Sequence, residues 1–389
     1  MNNNYNFVCH DCVGNSALKN HIRKHGTRNK CDYCGHNKTS ILLSDLSEII
    51  LDGISIEYQN AADILGYDSG EGGYQGETID TWDLIKDVYS EEINIENEVL
   101  QNDIIDSIDH TIVWCKKDYY WGTEEERAEY SWDNFCNLVK HKVRYVFYKV
   151  EDQVEEDYSS CSANVMDQIG IYINELNLVH PLNPKYVRIY RGRVHKIGEN
   201  LSKVTDFSSP PPQFAKASRM SSDGIPVFYG AFDVETVLQE IYTETAECAS
   251  VAEFSLLRPL YVLNLSRLER NKVPSVFDEN KRKYRAPYLF LTRFAEDVSK
   301  KIDGNYNIEY IPTQIVSEYF RHVFLDSAGN KLDGIIFPSS KKDKGKCIVI
   351  FIEGKDCVDY SPSEGALFMD PNKIHRYRKN YQIIIPTGK

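Results

Sequence analysis

Two Cys-x2-Cys pairs, Cys9/Cys12 and Cys31/Cys34, stand eighteen residues apart near the start of this chain. No other feature restricts the fold so sharply. Two chelating turns at this separation supply tetrahedral thiolate ligation, the pattern of a four-cysteine zinc site. A segment this small has little core of its own, so metal-binding energy becomes its folding energy. The expectation is a zinc-binding unit over residues 1–40, with a structural Zn2+ on Cys9, Cys12, Cys31 and Cys34. His21 and His25 form a rival donor pair on the helix-like stretch 15–25. The gap from Cys12 to His21 is too short for the usual two-Cys, two-His finger, and both histidines read as solvated helix residues. A closed four-ligand site leaves no open position for chemistry. The segment's basic residues (Lys19, Arg23, Lys24, Arg28, Lys30, Lys38) could dock a partner or the acidic segment after it.

A chain of 389 residues exceeds one ordinary domain, and two or three are expected. Hydrophobic content of 42%, with 26 tyrosines and 16 phenylalanines, supports globular cores. No apolar run is long enough to span a bilayer, and the start Met1-Asn-Asn-Asn lacks the basic and apolar regions of a signal peptide. A cytoplasmic location without membrane contact is therefore expected. The ten cysteines read as metal ligands and buried thiols, not as a disulfide framework. A net charge of −13 argues against nucleic-acid binding.

Residues 41–174 read as acidic and mainly helical, with Glu124–Glu126 in the acidic part and a Gly-rich turn at 69–73. The clearest helix is Trp132–Val150, whose apolar stripe runs through Phe135, Leu138, Val139, Val143, Val146 and Phe147. Lys140, His141, Lys142, Arg144 and Lys149 then lie on a solvated face. Residues 151–158 and 181–184 read as the approach to a further domain over 175–389. There, short strands are expected near 187–190, 225–232, 261–265, 334–337 and 347–352, the last two as a hairpin, with helices near 234–243, 289–302 and 314–324. The fold class is α+β.

The chemistry gathers in this last region. Along 225–232, alternation puts Val227, Tyr229 and Ala231 on one face. Asp233 suits an N-cap, and Glu240 borders the apolar stripe of the helix beyond it. Arg188, Arg191 and Arg193 surround Tyr190 and Gly192, and arginine forks suit a pyrophosphate. The Pro-rich loop 208–214 leads to Arg219. Ser339, in Asp333-Gly-Ile-Ile-Phe-Pro-Ser339-Ser340, has no neighbouring base and reads as a positioning hydroxyl, not a nucleophile.

Tyr190-Arg-Gly-Arg193, the prolines before Arg219-Met-x-x-x-Gly-Ile-Pro-x-Phe-Tyr229, Glu240, Tyr310-Ile-Pro-Thr-Gln314 with Ser317-Glu-Tyr319, and Asp333–Ser340 resemble, in that order, the RES domain. The double Cys-x2-Cys and the helix from Trp132 are similar to the HEPN-like N-terminal region of one RES subfamily. The resemblance implies a mixed β core flanked by helices, like that of ADP-ribosyltransferases, and a toxin that degrades NAD. It implies that Glu240, Arg219, Tyr229 and Ser339 carry catalysis, and that Arg191, Arg193, Arg219, Tyr229 and Ser339 bind NAD. Where many RES domains have Arg-Trp-Asn, this chain has Arg219-Met220-Ser221. Arg188, Arg191 and Arg193 remain alternatives for the family's first arginine.

The reaction implied by the resemblance is cleavage of the nicotinamide–ribose bond by hydrolysis or phosphorolysis. The alternatives are ADP-ribosylation of a protein and a catalytically silent NAD-sensing or partner-binding module. Toxicity implies a neutralising antitoxin or other regulatory protein and a role in toxin–antitoxin or anti-phage defence. A homo-oligomer is left open. A HEPN ribonuclease would need an Arg with a His four to six residues after it on a helix; His141 precedes Arg144, so the middle segment reads as scaffold.

Overall fold

The computed structural model describes residues 5–70, 72–108, 111–117, 124–149, 161–268, 272–300, 307–360, 365–378 and 383–384. Residues 151–158, expected to be an approach segment, lie outside these. The chain divides into two compact units, one of residues 1–129 with 272–289 and one of 130–271 with 290–389. Among the described residues no helix is long and apolar enough to cross a membrane.

The first unit opens with strands β1 (Phe7–Cys9), β2 (Thr27–Lys30) and β3 (Asn37–Leu42), antiparallel in the order β1-β3-β2. Helix α1 (Ser16–His25) links β1 to β2. Asn15 caps it, its side-chain oxygen accepting from the N–H groups of Ala17 and Leu18. The helix stripe Leu18 and Ile22 is fully buried. It joins one apolar cluster with Val8 of β1, with Ile50 and Ile54 of α2 (Leu43–Ile54), and with Ile104 of a later helix. Short elements fill the stretch between: β4 (Tyr58–Asn60), hairpin strands β5 (Tyr67–Asp68) and β6 (Gly73–Tyr74), α3 (Thr81–Asp83), α4 (Ser90–Ile93), α5 (Glu98–Ser107) and β7 (Trp114–Lys116), the partner of β4.

The same cluster takes Val276 and Phe277 from much later in the chain. The Phe277 ring lies against Gly53, where a Cβ would meet it at 2.5 Å. Arg282 pairs with Asp52 at 2.6 Å and Arg285 with Glu92 at 3.5 Å. The N-terminal fold is therefore completed by residues 272–289.

Helix α6 (Glu124–Asn137), whose residues from 130 onward belong to the second unit, begins earlier than its apolar stripe suggested and ends sooner. It passes into a wide turn at Leu138–Lys142, closed by the Val143 N–H on the Leu138 carbonyl, and Val143 is already extended. Phe135 and Val139 are buried, whereas Val146 is exposed. The expected helix Trp132–Val150 is thus corrected, and Val150 itself lies outside the described residues. Lys140, His141 and Lys142 gather in a last turn, where cations favour a helix terminus. Trp132 packs among Phe135, Phe290 and Phe294 and donates to Asp297 at 2.7 Å.

The remaining elements are α7 (Cys161–Glu175), β8 (Val179–Leu182), β9 (Arg188–His195), α8 (Val204–Phe207), β10 (Phe228–Ala231), α9 (Val234–Ile241), β11 (Cys248–Leu256), β12 (Leu260–Asn264), α10 (Arg285–Ser299), α11 (Ile311–His322), β13 (Gly334–Pro338), β14 (Lys346–Ile350), β15 (Cys357–Val358), β16 (Leu367–Arg378) and β17 (Ile383–Ile384). Among the described residues, ten strands form one mixed sheet in the order β15-β16-β11-β9-β10-β14-β13-β12-β8, with β17 on β16. Among the described residues, only β12–β13 and β15–β16 are parallel. Pro181 falls on β8, an edge strand, where its missing N–H is tolerated. The hairpin β13–β14 forms as expected. Ile189, Phe228, Phe254, Ile336 and Ile348 build the core on one face. Tyr190, Ala231 and Val251 pack with Val237 and Ile241 of α9 on the other.

Candidate functional site

Strands β9 and β10 pair only at Ala231↔Tyr190, whereas β10 pairs with β14 at four successive positions. At this parting lies a cavity of about 450 Å3, inside the usual range for small-molecule sites of roughly 300–1,000 Å3. Tyr190–Arg193, Arg219, Tyr229, Glu240, Tyr310, Phe337 and Cys347 are among its walls. Ser339 stands behind Glu240 instead of on the wall.

Glu240 is held on α9 near its C-terminal end. The helix starts from Asp233, whose carboxylate accepts from the Thr236 N–H at 2.8 Å and its hydroxyl at 2.7 Å. The stripe Val237, Leu238 fixes its roll against the sheet. Gly192 permits the close approach, since a Cβ there would meet Val237 and Ile241 at 2.6 Å. The group that Gly192 admits is the helix.

Ser339, just past β13, donates its hydroxyl to the Glu240 carboxylate at 2.5 Å. The Ser339 Oγ in turn accepts from the backbone N–H groups of Lys341 and Lys342 at 3.2 and 3.1 Å. Its lone pairs and proton are all engaged, which fixes the carboxylate and suits positioning better than nucleophilic attack. The Cys347 thiol lies on the cavity wall, where burial, and then the Glu240 charge, push its pKa up to about 12. It is an uncharged neighbour of the carboxylate.

Arg219 sits at the tip of a two-residue turn between bridged Ser218 and Ser221. Its Nη1 donates to the Ser299 carbonyl at the end of α10, at 2.9 Å. Among the described residues its guanidinium has no carboxylate partner. Tyr229 stands on the cavity wall. Its hydroxyl accepts from the Met220 N–H at 3.2 Å and pairs with Ser218 Oγ at 3.0 Å, so it supports the arginine turn. Burial raises its pKa, partly offset by those two bonds and by Arg219.

The three upstream arginines separate. Arg188 lies 3.7 Å from Glu253. Arg193 borders the cavity, but its guanidinium donates to the Asp206 and Ser208 carbonyls, both at 3.2 Å, and holds the loop beside α8. Arg191 is 5% exposed. It donates to the Tyr229 carbonyl at 2.9 Å across the parted strands, stacks over Phe228 at 4.6 Å, and leaves its buried Nε without a partner. Burial, and then the Arg193 charge, lower its pKa well below the ordinary value. Of the three, Arg191 alone combines burial at the cavity with donor capacity left over.

The Pro-rich loop walls a different cavity, of about 480 Å3, with Gly354 and Tyr360. The sequence reading missed Cys347, Phe337, and the anchoring of the Arg219 turn by Thr313 and Gln314, although Tyr310–Gln314 belongs to the motif series. Thr313 and Gln314 are polar yet buried, a signal invisible to a search for apolar periodicity.

In the first unit the four thiols Cys9, Cys12, Cys31 and Cys34 lie within 4.8 Å of one another. Neighbouring sulfurs are 3.6 Å apart. That spacing is far too long for a disulfide and close to the edge, roughly 3.8 Å, of a tetrahedron with zinc–sulfur bonds near 2.3 Å. The donor set fits a thiophilic metal held by protein alone.

The HEPN/RES N-terminal domain 1 family matches residues 24–153, and the RES domain family matches residues 188–369. This is a RES-domain protein. The RES domain match takes in Arg191, Arg219, Tyr229, Glu240 and Ser339. No curated protein and no solved structure matches the chain.

Proposed function

We propose that this RES domain binds NAD in the cavity between β9 and β10 and cleaves its nicotinamide–ribose bond. The observation that carries the reading is the pairing of a Glu240 carboxylate immobilised by Ser339 with an arginine, Arg219, that has no carboxylate of its own. The nicotinamide of NAD leaves as a neutral base when the carbon–nitrogen electron pair returns to its ring, so no strong acid is needed. What needs stabilising is the oxocarbenium-like ribose. Glu240 accepts hydrogen bonds from the ribose hydroxyls and sets negative charge beside the developing cation. Arg219 and Arg191 face the pyrophosphate, the Tyr229 ring packs on the ligand, and Ser339 holds Glu240. Water bonds to the anomeric carbon and releases a proton.

Zinc on the four cysteines would hold the N-terminal turns and supply no chemistry to the cavity. An enzyme that drains NAD needs restraint in its host. A neutralising partner, and a role in toxin–antitoxin or anti-phage defence, follow from this reading and are part of the proposal.

Purified full-length protein and its Glu240→Gln variant, incubated with NAD, test the reaction by chromatography and mass spectrometry. Free nicotinamide with free ADP-ribose, reduced on the order of a hundredfold or more in the variant, is the expected result. ADP-ribose attached to protein would make the enzyme a transferase. Absence of both products would favour a binding module.

A further inference from the structure

The turn that presents Arg219 is too small to hold itself. Ser218 and Ser221 form an isolated bridge, with one good bond, Ser218 N–H to the Ser221 carbonyl at 2.8 Å, and a weaker return at 3.5 Å. A two-residue hairpin without a third strand is marginal in water. Tyr229 braces the Ser218 hydroxyl and the Met220 N–H, and the start of α11 braces the carbonyls. Gln314 Nε2 donates to the Ser218 carbonyl at 2.7 Å and to the Ser221 carbonyl at 3.2 Å, spanning both sides of the turn. Thr313 Oγ1 donates to the carbonyl of Arg219 itself at 2.5 Å. Both side chains are at least nine-tenths buried, so water does not replace these donors readily.

From this geometry we infer that Gln314, with Thr313, is a positioning residue that sets the reach and direction of Arg219 for the ligand's pyrophosphate. The inference rests on the NAD reading of the cavity. Neither residue is among its walls, so their influence passes through the turn. Displacement of a binding group by about 1 Å is enough to change a rate or affinity on the order of a hundredfold.

The test is a double-mutant cycle on the full chain, titrated with ADP-ribose by calorimetry. Gln314→Met should weaken binding on the order of ten- to a hundredfold, and Arg219→Met at least as much. The variant carrying both changes should bind no more weakly than Arg219→Met alone, because Gln314 acts through that side chain. Additive losses, or wild-type affinity in Gln314→Met, would overturn the inference. If Gln314→Met lacks a cooperative melting transition, Thr313→Val takes its place in the cycle with the same expected non-additivity, and Thr313→Ser should restore binding. Wild-type protein that binds ADP-ribose no better than Arg219→Met would instead remove the anion-site reading itself, and the inference with it.

Discussion

The thiol cluster and the Arg219–Glu240 cavity are both assembled from turns at strand ends, yet they handle their polar groups in opposite ways. In the cluster, four donors face one another within 4.8 Å, and a tetrahedral metal would satisfy all of them. In the cavity, the supporting groups are saturated while the presented ones are not. Ser339, Tyr229, Thr313 and Gln314 have their bonds, whereas Arg219 and Arg191 keep donors without carboxylates. Closure around a metal would serve folding; on the proposed reading, the donors left open in the cavity serve binding.

The largest expected effect breaks the comparison on the closed side. Metal analysis should find about one zinc per chain, and Cys31→Ser or chelation should abolish the N-terminal unit's own unfolding transition. The metal's contribution in such sites is on the order of 10 kcal/mol. Unchanged melting after verified metal removal would mean that the apolar cluster alone holds the turns. Next in size is Phe277→Ala, expected to lose about 3–5 kcal/mol in denaturant unfolding, since the ring lies in that cluster against Gly53.

On the open side, Ser339→Ala should lower kcat for NAD cleavage on the order of ten- to a hundredfold with little change in KM, because a hydrogen bond to a charged group is lost. A KM effect alone would make Ser339 a ligand contact. The smallest effect concerns Asp233. Burial pushes its carboxyl up, but bonds from Lys342 and Thr236 prevail and hold it below the ordinary value. Its stabilisation is therefore fully present above the usual aspartate range and is lost as pH falls through the depressed folded value. Asp233→Ala should cost about 1 kcal/mol near neutrality, and the gap from wild type should close in acid. A gap independent of pH would exclude the charge as its source.

Sequence periodicity revealed elements with one clear face. Val237 and Leu238 announced α9, and the apolar strands β13 and β14 announced their hairpin. Strand β11 escaped because Ala249, Ser250, Val251 and Ala252 are all buried; with both faces covered and small residues interleaved, no alternation appears. Strand β16 escaped because Asp370-Pro-Asn372 reads as a turn. Its register with β11 shifts there, from Ala252↔Ile374 to Phe254↔Met369. At the site, Glu240, Arg219, Tyr229 and Ser339 were legible as an ordered set. Their division of labour was not, because which hydroxyl supports and which side chain is left to act depends on contacts such as Gln314 to Ser218, 96 residues away.

Residues 272–289 fall within the RES-domain match but complete the N-terminal unit. The first unit's core therefore depends on residues supplied from within the RES-domain match. A recombination event that swapped the N-terminal region for an unrelated one would strand Val276 and Phe277 without a host, and a fragment cut at residue 175 would carry the same exposed apolar segment. Such a fragment is expected to self-associate, so its silence toward NAD would report on solubility before it reported on catalysis.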